Sequence, residues 1–401
     1  MPDKPAVIFA VFQTGSRSNG GVASIREVMT RLTQVRPIAL TQRESEVTAA
    51  WREAGVETHV WPVSGAMSGE LHHGVGRPPL PTWLLNMARF NLRTFALVRR
   101  SRAIAVHAND PAAFWHVALG ARLAGARLVM NIRDTMEAPL SGMRLVKWRV
   151  IHALSQSVIV LSKDMAERWR RDLRLPAGQA GKFAVAYSLV DLQRFSPASA
   201  ERRRAARAAA DVGDSETLLV YIAALNPKKA QAEFLKGAAV ALRAEPNLRL
   251  VFVGDFDPAV NSYAAECARS VEQERLGAIV RFAGPTRTIE DWYAAADAVV
   301  LGSRYEGLAR CMIEAMACGV PVASFDVSSA REMLEERGAG AVVPAGDHEG
   351  LLAAALRLAR DPASRARASA AGMAAAAELF IDRQSVAVYE GAYTDAALAG
   401  R

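Results

Sequence analysis

Residues 298–326 read AVVLGSRYEGLARCMIEAMACGVPVASFD, and the fold prediction rests on this stretch. AVVLGS predicts a buried strand, RYEG a turn, and the Ala/Met-rich run behind it a helix that stops at Gly319 and Pro321. A second apolar strand, VPVASFD, follows. Strand, helix and strand in this order indicate a parallel α/β unit, in which ligands bind beyond the carboxyl ends of the strands.

The same stretch carries two glutamates, Glu306 at the start of the predicted helix and Glu314 inside it. The positive end of a helix stabilises a carboxylate or a bound phosphate. In a continuous helix Glu314 lies roughly 12 Å further along, which suits a ligand with two polar ends. The alternative is a solvated helix-surface glutamate, but Met312, Ile313 and Met316 leave little room for a wholly polar face.

Short β-branched runs alternate with longer amphipathic runs along the rest of the chain. Strands are predicted at 6–12, 103–108, 126–132, 157–162, 218–225, 248–255, 279–284, 298–303 and 320–326. We therefore predict an α/β fold with two doubly wound, Rossmann-like domains that face each other across a cleft.

The length of 401 residues suits two domains better than one. We predict a first domain at 1–190, a second at 191–381, and a C-terminal helix at 382–401 that can return to the first domain. Residues 201–216, ERRRAARAAADVGDSE, read as a polar join with no core face of its own.

The net charge of +8 is unevenly distributed. Residues 1–190 hold 25 Lys/Arg against 13 Asp/Glu, whereas residues 191–401 hold 24 against 28. A basic first half indicates an anionic partner: a membrane, a nucleic acid or a phosphorylated substrate. Three cysteines with no zinc or disulfide spacing fit a cytoplasmic protein with no metal site. Neither a membrane span nor a signal peptide is expected.

Two further stretches point to phosphate. In TGSRSNGGVASIREVM (14–29), a Gly/Ser/Asn loop with Gly20 and Gly21 precedes a helix, and it is either an anion site or a turn for chain reversal. In ALNPKKAQAEFLKGA (224–238), Lys228 and Lys229 open a helix and either reach a phosphate or are solvated.

Residues 298–332 resemble the signature of the retaining nucleotide-sugar glycosyltransferases of glycosyltransferase family 4, which have the GT-B fold. That signature is a strand, then S-x-x-E-G, seven residues between two glutamates, and E-A-M-A-x-G-x-P-V. The matching residues are Ser303, Glu306, Gly307, Glu314, Ala315, Met316, Ala317, Gly319, Pro321 and Val322. Weaker matches are the Gly20-Gly21 pair, VIVLSKDM (158–165), LVDLQRFSP (189–197), KKAQ (228–231), VFVGD (251–255) and VRFAG.

The resemblance implies an acceptor-side N-terminal domain and a nucleotide-sugar-binding C-terminal domain. It implies that Glu306 is the catalytic residue that contacts the donor sugar near its reacting carbon. Glu314 would hold the ribose hydroxyls, and Lys229 would neutralise the diphosphate. The glycines Gly20 and Gly21 would close on the diphosphate from the N-terminal domain.

The resemblance also assigns backbone contacts to the donor. The backbone of Gly307, Leu308 and Ala309 would meet the diphosphate or the sugar, and the base would lie near Gly284 and Pro285. The donor would be a UDP- or GDP-sugar, bound with neither cofactor nor metal, because lysines and helix ends stabilise the charge of the diphosphate leaving group.

The chain departs from the family pattern at two positions. Family members usually pair an arginine with the lysine, but Ala224 occupies that place, and Lys228, Arg304 or Arg310 is expected to replace it. A family histidine on the acceptor side is also missing. Arg133 and Asp134 stand there, and His107 at the end of an earlier strand is a further acceptor-side candidate.

Basic and apolar residues interleave in 89–102 and 143–151, which is typical of helices that lie on anionic lipid surfaces. Amphipathic helices of an ordinary α/β domain are the alternative reading. With the first reading, the acceptor is a glycan or a polyprenyl-linked glycan of surface polysaccharide or glycolipid biosynthesis, and the protein is peripheral on the cytoplasmic face of the membrane.

Two other functions remain open. A GT-B-fold sugar-nucleotide epimerase shares the fold but is not expected to carry this glutamate pair. A lapsed enzyme that binds nucleic acid or a membrane surface fits the basic charge and Ala224, although the sequence contains no recognisable nucleic-acid module and no nucleic-acid partner is expected.

Overall fold

The computed structural model describes residues 4–13, 20–63, 79–137, 139–176, 181–380 and 382–394. These residues form two compact units. Unit 1 is drawn from Met1–Arg133, Ala138–Leu189 and Asp382–Arg401, and unit 2 from Asp134–Glu137 and Val190–Ile381. The domain boundaries predicted from the sequence stay predictions.

Seven described strands of unit 1 form a wholly parallel sheet in the order β3-β2-β1-β4-β5-β6-β7. The strands are β1 (Ala6–Ala10), β2 (Arg36–Thr41), β3 (Glu57–Val60), β4 (Ala105–Ala108), β5 (Arg127–Asn131), β6 (Ser157–Val160) and β7 (Phe183–Val185). Strands β1 and β4, in the middle of the sheet, are buried along their whole length, as is typical of parallel sheets covered by helices. The order reverses at β1, which makes the sheet doubly wound.

The helices of unit 1 connect and cover this sheet. They are α1 (Gly20–Arg31), α2 (Glu46–Glu53), α3 (Leu80–Ser101), α4 (Pro111–Leu123), α5 (Gly142–Leu154), α6 (Lys163–Asp172) and, from the end of the chain, α15 (Asp382–Tyr393). Side-chain caps begin several of them: Ser45, Asp110 and Ser162 accept hydrogen bonds from the first-turn amides of α2, α4 and α6.

Helix α15 completes the core of unit 1. Val386, Tyr389 and Tyr393 are buried in the same cluster as Phe9 of β1. The Glu390 carboxylate accepts hydrogen bonds from the backbone amides of Thr33 and Gln34, each at 2.5 Å. The terminal segment is therefore a structural part of unit 1 although it is last in the sequence.

Six described strands of unit 2 form a second parallel sheet in the order β10-β9-β8-β11-β12-β13. They are β8 (Thr217–Ile222), β9 (Leu248–Val253), β10 (Val280–Gly284), β11 (Ala298–Leu301), β12 (Val322–Phe325) and β13 (Gly340–Val343). The order reverses at β8. Two doubly wound parallel sheets were predicted from the sequence, and this fold class is confirmed.

The helices of unit 2 are α7 (Ala200–Ala209), α8 (Gln231–Gly237), α9 (Ala239–Arg243), α10 (Ser262–Gln273), α11 (Ile289–Ala295), α12 (Arg310–Ala317), α13 (His348–Arg360) and α14 (Pro362–Leu379). A 3-10 turn (Pro227–Lys229) and a π-helical turn (Arg331–Glu335) complete the described elements of this unit. Residues 229–244 are thus divided at two positions: Ala230, with a left-handed φ of +52°, separates the 3-10 turn from α8, and Ala238, with φ of −104°, separates α8 from α9.

The polar join at 201–216 forms α7, and the prediction that it has no core face was wrong. Arg207 is 95% buried, and its guanidinium lies 3.1 Å from Asp297. Arg203 and Arg365 reach the other Asp297 oxygen at 2.5 and 2.9 Å. The core contact of α7 is therefore ionic, and apolar periodicity in the sequence does not reveal it.

Candidate functional site

Glu306 lies behind β11, where the chain turns toward α12. Its side chain is 7% exposed, so its carboxylate is almost completely removed from water. The backbone carbonyl of Glu306 accepts a 2.6 Å hydrogen bond from the Thr135 hydroxyl, which fixes the turn. A buried carboxylate needs charged partners.

Two consecutive lysines supply those partners. The 3-10 turn Pro227–Lys229 is capped by the Asn226 side chain, which accepts from the Lys229 amide. The Lys229 ammonium donates to Glu306 Oε1, and the Lys228 ammonium lies 3.5 Å from Glu306 Oε2. The Tyr221 hydroxyl holds the turn by donating to the Lys229 carbonyl. We call Lys228, Lys229, Glu306 and Asp134 the lysine–Glu306 cluster.

The electrostatics of this cluster favour the ionised forms of Glu306 and Lys228. Burial alone raises the pKa of Glu306, but the charges of Lys229 and Lys228 outweigh it, and the pKa lies below its usual value. Burial lowers the pKa of Lys228, yet Glu306 and Asp134 raise it above its usual value. At neutral pH the cluster therefore presents an anion between two cations.

Asp134 joins the cluster from the short segment Asp134–Glu137 of unit 2. Its carboxylate accepts a hydrogen bond from the Lys228 ammonium. Burial raises the pKa of Asp134, Lys228 lowers it, and the Glu306 charge raises it again, so that it lies above its usual value. Asp134 is thus a contact of Lys228, a pairing that the sequence analysis did not predict.

Glu314 lies inside α12 and is buried. Its Oε1 accepts from Arg310 Nε at 3.0 Å, and its Oε2 accepts from the Tyr293 hydroxyl at 2.9 Å. Burial raises the pKa of Glu314, and Arg310 only partly offsets this. The expectation that Glu314 faces away from bulk water is correct, but helix α12 begins at Arg310, so no continuous helix joins it to Glu306.

The turn between Glu306 and α12 is also buried. Leu308 and Ala309 are 6% and 4% exposed, and the Ser329 hydroxyl donates to the Gly307 carbonyl at 2.6 Å. Backbone amides in this turn precede the N-terminus of α12, which has the polarity that binds anions.

Gly284 and Pro285 lie at the end of β10. Gly284 has φ of +73°, a conformation that favours glycine, and its carbonyl accepts from the Gly254 amide at 3.1 Å. The neighbouring rings of Phe256 and Phe282 stack with centroids 4.1 Å apart. Pro285 is exposed.

The predicted positions of the first half lie in unit 1. Gly20 and Gly21 begin α1, and residues 14–19 of the predicted loop lie outside the described residues. His107 is completely buried, and its Nδ1 lies 3.0 Å from the Tyr393 hydroxyl. Burial lowers the pKa of His107 to about 3, with a smaller effect from Arg133. His107 therefore has no exposed atom through which it could contact an acceptor, as its predicted acceptor-side role requires. Arg133 is half-buried.

Three residues were expected to replace the arginine missing at Ala224. Arg304 pairs with Glu233 at 2.6 Å and with Glu137 at 3.3 Å, and Arg310 pairs with Glu314. Lys228 alone of the three contacts Glu306 within the described structure.

A cavity of about 320 Å³ in unit 2 adjoins these residues. Its lining includes Ala230 after the lysine pair and Gly302 and Arg304 at the end of β11. The cavity gives space for a small polar ligand next to the lysine–Glu306 cluster.

Among the described residues, no three His, Cys, Asp or Glu side chains form a group able to hold a metal ion. No helix in the described part of the chain has both the length and the hydropathy needed to cross a membrane.

Comparison with known families agrees with this geometry. A model described as "Glycosyl transferases group 1" matches residues 216–361, and one described as "Glycosyltransferase Family 4" matches residues 45–194. These two matches support a family-4-like glycosyltransferase, and the two doubly wound parallel sheets agree with the GT-B fold. Lys228, Lys229, Glu306 and Glu314 lie within the first of these matches, and Asp134 lies within the second.

Individual relatives and solved structures share about a third or less of their aligned residues with this chain. A D-inositol 3-phosphate glycosyltransferase of Streptosporangium roseum is 32% identical over 49% of this chain and 46% of its own length, so this chain spans about half of that relative. One of Kribbella flavida is 26% identical over 73% of this chain and 72% of its own length. The crystal structure of Anabaena HepE in complex with UDP-glucose matches with a TM-score of 0.76 at 18% identity, over 96% of this chain and 98% of that one.

Proposed function

We propose that this protein transfers a sugar from a UDP- or GDP-sugar to a glycan or lipid-linked acceptor, with retention of configuration and without a metal ion. The observation that carries the proposal is the lysine–Glu306 cluster at the carboxyl end of β11, because it combines a buried carboxylate with two ammonium groups. The UDP and UDP-glucose named for the Anabaena structures support a nucleotide-sugar donor.

The proposed reaction exchanges the bond between the sugar and the diphosphate for a bond between the sugar and the acceptor. The bond between the sugar's anomeric carbon and the diphosphate breaks, and the acceptor oxygen bonds to that carbon on the same face. The acceptor hydroxyl proton passes to the departing phosphate oxygen, so no protein base is required. Lys229, Lys228 and the amides before α12 stabilise the charge that develops on the diphosphate.

Glu306 has a separate role in this proposal. Its lowered pKa keeps it ionised at neutral pH. An ionised carboxylate next to the sugar accepts hydroxyl hydrogen bonds and stabilises positive charge at the reacting carbon. It also holds both lysines in place before the donor binds, and such preorganisation makes electrostatic stabilisation effective.

Lys228 replaces the arginine absent at Ala224 in this proposal. Its ammonium has three donors, and Asp134 and Glu306 lie on two sides of it. Rates of Lys228→Ala, Arg304→Ala and Arg310→Ala test the assignment. A loss confined to Lys228→Ala supports it, and near-native rates for all three contradict it.

Glu314 is proposed to bind the ribose. Arg310 Nε and Nη2 both lie 3.0 Å from Oε1, and the Tyr293 hydroxyl donates to Oε2. A carboxylate has about four acceptor sites, so a site on Oε2 remains for a ribose hydroxyl. Tyr293 and Arg310 then orient the carboxylate.

Two acceptor classes have support. The basic, apolar segments 89–102 and 143–151 favour a polyprenyl-linked glycan of surface polysaccharide or glycolipid biosynthesis. The names of the D-inositol 3-phosphate glycosyltransferases favour a phosphorylated inositol instead. Product formation from each acceptor with one donor distinguishes them.

The first experiment is a thermal-shift panel with UDP, GDP, ADP, UDP-glucose, UDP-GlcNAc, UDP-galactose and GDP-mannose. A ligand that binds only the native state raises Tm. We expect a shift with one base, which Glu314→Ala abolishes and the exposed control Glu272→Ala retains.

No shift with any donor would contradict the proposal and favour the lapsed-enzyme alternative. Turnover of the donor without acceptor, into an epimeric sugar nucleotide, would favour the epimerase alternative.

A further inference from the structure

Exposed apolar side chains are concentrated on three helices of unit 1. Among the described residues, fourteen large hydrophobic side chains are exposed, and eleven lie on α3, α4 and α5. These eleven are Leu80, Leu84, Leu85, Leu92, Phe95, Leu119, Leu123, Met143, Val146, Val150 and Leu154. Single exposed hydrophobics are ordinary, but a concentrated set marks an interaction surface.

Helix α5 is apolar on two faces. Its buried face packs on the rest of unit 1 through Leu145, Trp148, Ile151 and His152. Its exposed apolar residues recur at i, i+3, i+7 and i+11, which is the spacing of one helix stripe. This outer stripe is Met143, Val146, Val150 and Leu154. The outer stripe is not needed for core packing, because the buried face of α5 already makes the contacts with the core.

Helix α3 has the same arrangement. Leu92, 70% exposed, and Phe95 lie outside, whereas Asn91 and Thr94 are buried. Asn91 accepts a 2.9 Å hydrogen bond from the amide of Gly120 in α4, so the two helices pack closely. A Cβ at Gly120 would lie 2.1 Å from the Asn91 carbonyl oxygen, and this close approach requires glycine.

The three helices lie side by side. Helix α3 packs on α4, and α4 contacts α5. The strands β4, β5 and β6 are consecutive in the sheet, and right-handed crossovers place α4 and α5 on the same side of it. We call the exposed side of α3, α4 and α5 the basic–apolar face.

The charge of this face has one sign. The three helices contain eight Lys/Arg and no Asp or Glu, in a chain that has 41 acidic residues. The eight are Arg89, Arg93, Arg99, Arg100, Arg122, Arg144, Lys147 and Arg149. Apolar stripes bordered by lysine and arginine are what an anionic lipid–water interface binds.

We propose that the basic–apolar face docks on an anionic lipid bilayer. Two copies of this chain would meet with eight positive charges on each side and no carboxylate to pair with them, which disfavours self-association through this face. A nucleic acid would satisfy the charges but not the exposed leucines and valines, because its contacts are made mainly to phosphates. A bilayer satisfies both.

The proposal extends the two basic segments predicted from the sequence by adding α4, and it does not depend on the donor site. No residue of the face belongs to the lysine–Glu306 cluster. Binding of UDP-sugars in the variants below therefore reports on the proposed function, and vesicle binding reports on this surface.

The test is vesicle co-sedimentation of the full chain. We expect binding to phosphatidylcholine vesicles that contain about 30% phosphatidylglycerol, and not to pure phosphatidylcholine, because each basic group near an anionic surface strengthens binding about fivefold. Raising the salt concentration shortens the Debye length and weakens this binding.

Two variants separate the two parts of the face. Arg93→Gln with Lys147→Gln should weaken binding roughly thirty-fold, as two such charges are removed. Leu92→Ser with Val146→Ser should weaken it about tenfold or more by removing inserted apolar groups. The matched controls in unit 2 are Arg204→Gln with Arg269→Gln and Val240→Ser with Val260→Ser, all exposed, and both pairs should bind like the unaltered chain.

Three results would overturn the proposal. The first is that folded protein binds equally well to vesicles with and without phosphatidylglycerol, or binds to neither. A second is a concentration-dependent dimer that the Leu92/Val146 variant abolishes while vesicles are not bound. The third is binding to duplex DNA that the Arg93/Lys147 variant abolishes while vesicles are not bound.

Discussion

Two buried carboxylates of unit 2, Asp297 and Glu306, each meet more than one cation, and their surroundings are built differently. Asp297 meets three arginines, whose guanidiniums also bond backbone carbonyls: Arg207 to Gly213 and Glu216 at 2.6 Å each, and Arg203 to Ala296 at 2.8 Å. Glu306 meets two lysines, whose ammonium groups have carboxylates as hydrogen-bond and ion-pair partners, and the Lys228 ammonium also lies 4.9 Å from the Tyr305 ring centroid. The first arrangement joins α7 to the sheet.

The choice between arginine and lysine as the partner of the carboxylate distinguishes a structural ion cluster from a candidate functional one. A planar guanidinium with several fixed bonds is held rigidly, whereas an ammonium on a flexible stem can exchange one anion for another. The Lys228 and Lys229 side chains are 24% and 19% exposed, whereas that of Arg207 is 7% exposed. Arg203 and Arg365, at the outer side of the Asp297 cluster, are 30% and 35% exposed. A phosphate can therefore approach the lysines, and it has no access to Arg207.

Removal of the structural carboxylate should have the largest effect. Asp297→Asn leaves three cations without a counter-charge, and breaking a buried ionic contact costs about 3–5 kcal/mol. We expect that loss in the free energy of unfolding measured with urea. Asp214→Asn, at an exposed position, should change it by less than about 0.5 kcal/mol. An Asp297→Asn protein as stable as the unaltered chain would show that the cluster is not structural.

Removal of the functional carboxylate should affect rate more than stability. Glu306→Gln keeps the shape but loses the charge that holds both lysines, and loss of one preorganised group lowers kcat about 10²–10³-fold. Its urea midpoint should fall by much less than that of Asp297→Asn, because the released lysines can hydrate. If the rate survives and stability collapses, the contrast between the two clusters fails.

Loss of one lysine should have a smaller, reversible effect. Lys228→Ala should weaken UDP binding about tenfold, since a charge-assisted hydrogen bond contributes about 1.5–3 kcal/mol. Ala224→Arg in the Lys228→Ala background places the cation where family members carry it and should recover affinity. Isothermal titration measures both. If Arg304→Lys restored UDP affinity in the Lys228→Ala background and Ala224→Arg did not, the phosphate would bind next to residue 304 and not next to residue 224.

The smallest expected effect is on the pH dependence of stability. The pKa of Glu306 is lowered in the folded protein, so its contacts stabilise the fold above pH 4.5 and lose that effect as pH falls through the folded pKa. The difference in Tm between the unaltered chain and Glu306→Gln should therefore shrink below pH 4.5. A constant difference down to the acid limit would mean that Glu306 does not titrate in this way.

Local pattern was sufficient for much of the fold and for part of the site. The apolar runs at 218–225, 248–255 and 298–303 predicted β8, β9 and β11 to within three residues at each end. Glu306, Glu314 and Lys229 were predicted as candidate site residues from short motifs, which can be read directly from the sequence. The structure adds the contact between Glu306 and Lys229.

The remaining contacts were not predictable because they join distant positions. Asp134 and Lys228 are 94 residues apart, and Tyr293 precedes Glu314 by 21. The π-helical turn at Arg331–Glu335 and the division of 229–244 depend on packing and backbone conformation, which hydrophobic periodicity does not record. His107 looked accessible at a strand end, but α15 covers it from the far end of the chain.

The sequence by itself determined two parallel α/β sheets and the glutamate pair behind β11, because periodicity and turn chemistry act over a few residues. Only the tertiary structure decided which cations meet which carboxylates and which apolar stripes of α3 and α5 stay exposed. An amphipathic helix pattern states that a face is apolar, but neighbouring elements determine whether that face is buried. Arg207 of α7 is a core residue for the same reason, since its counter-charge Asp297 lies 90 residues later in the chain.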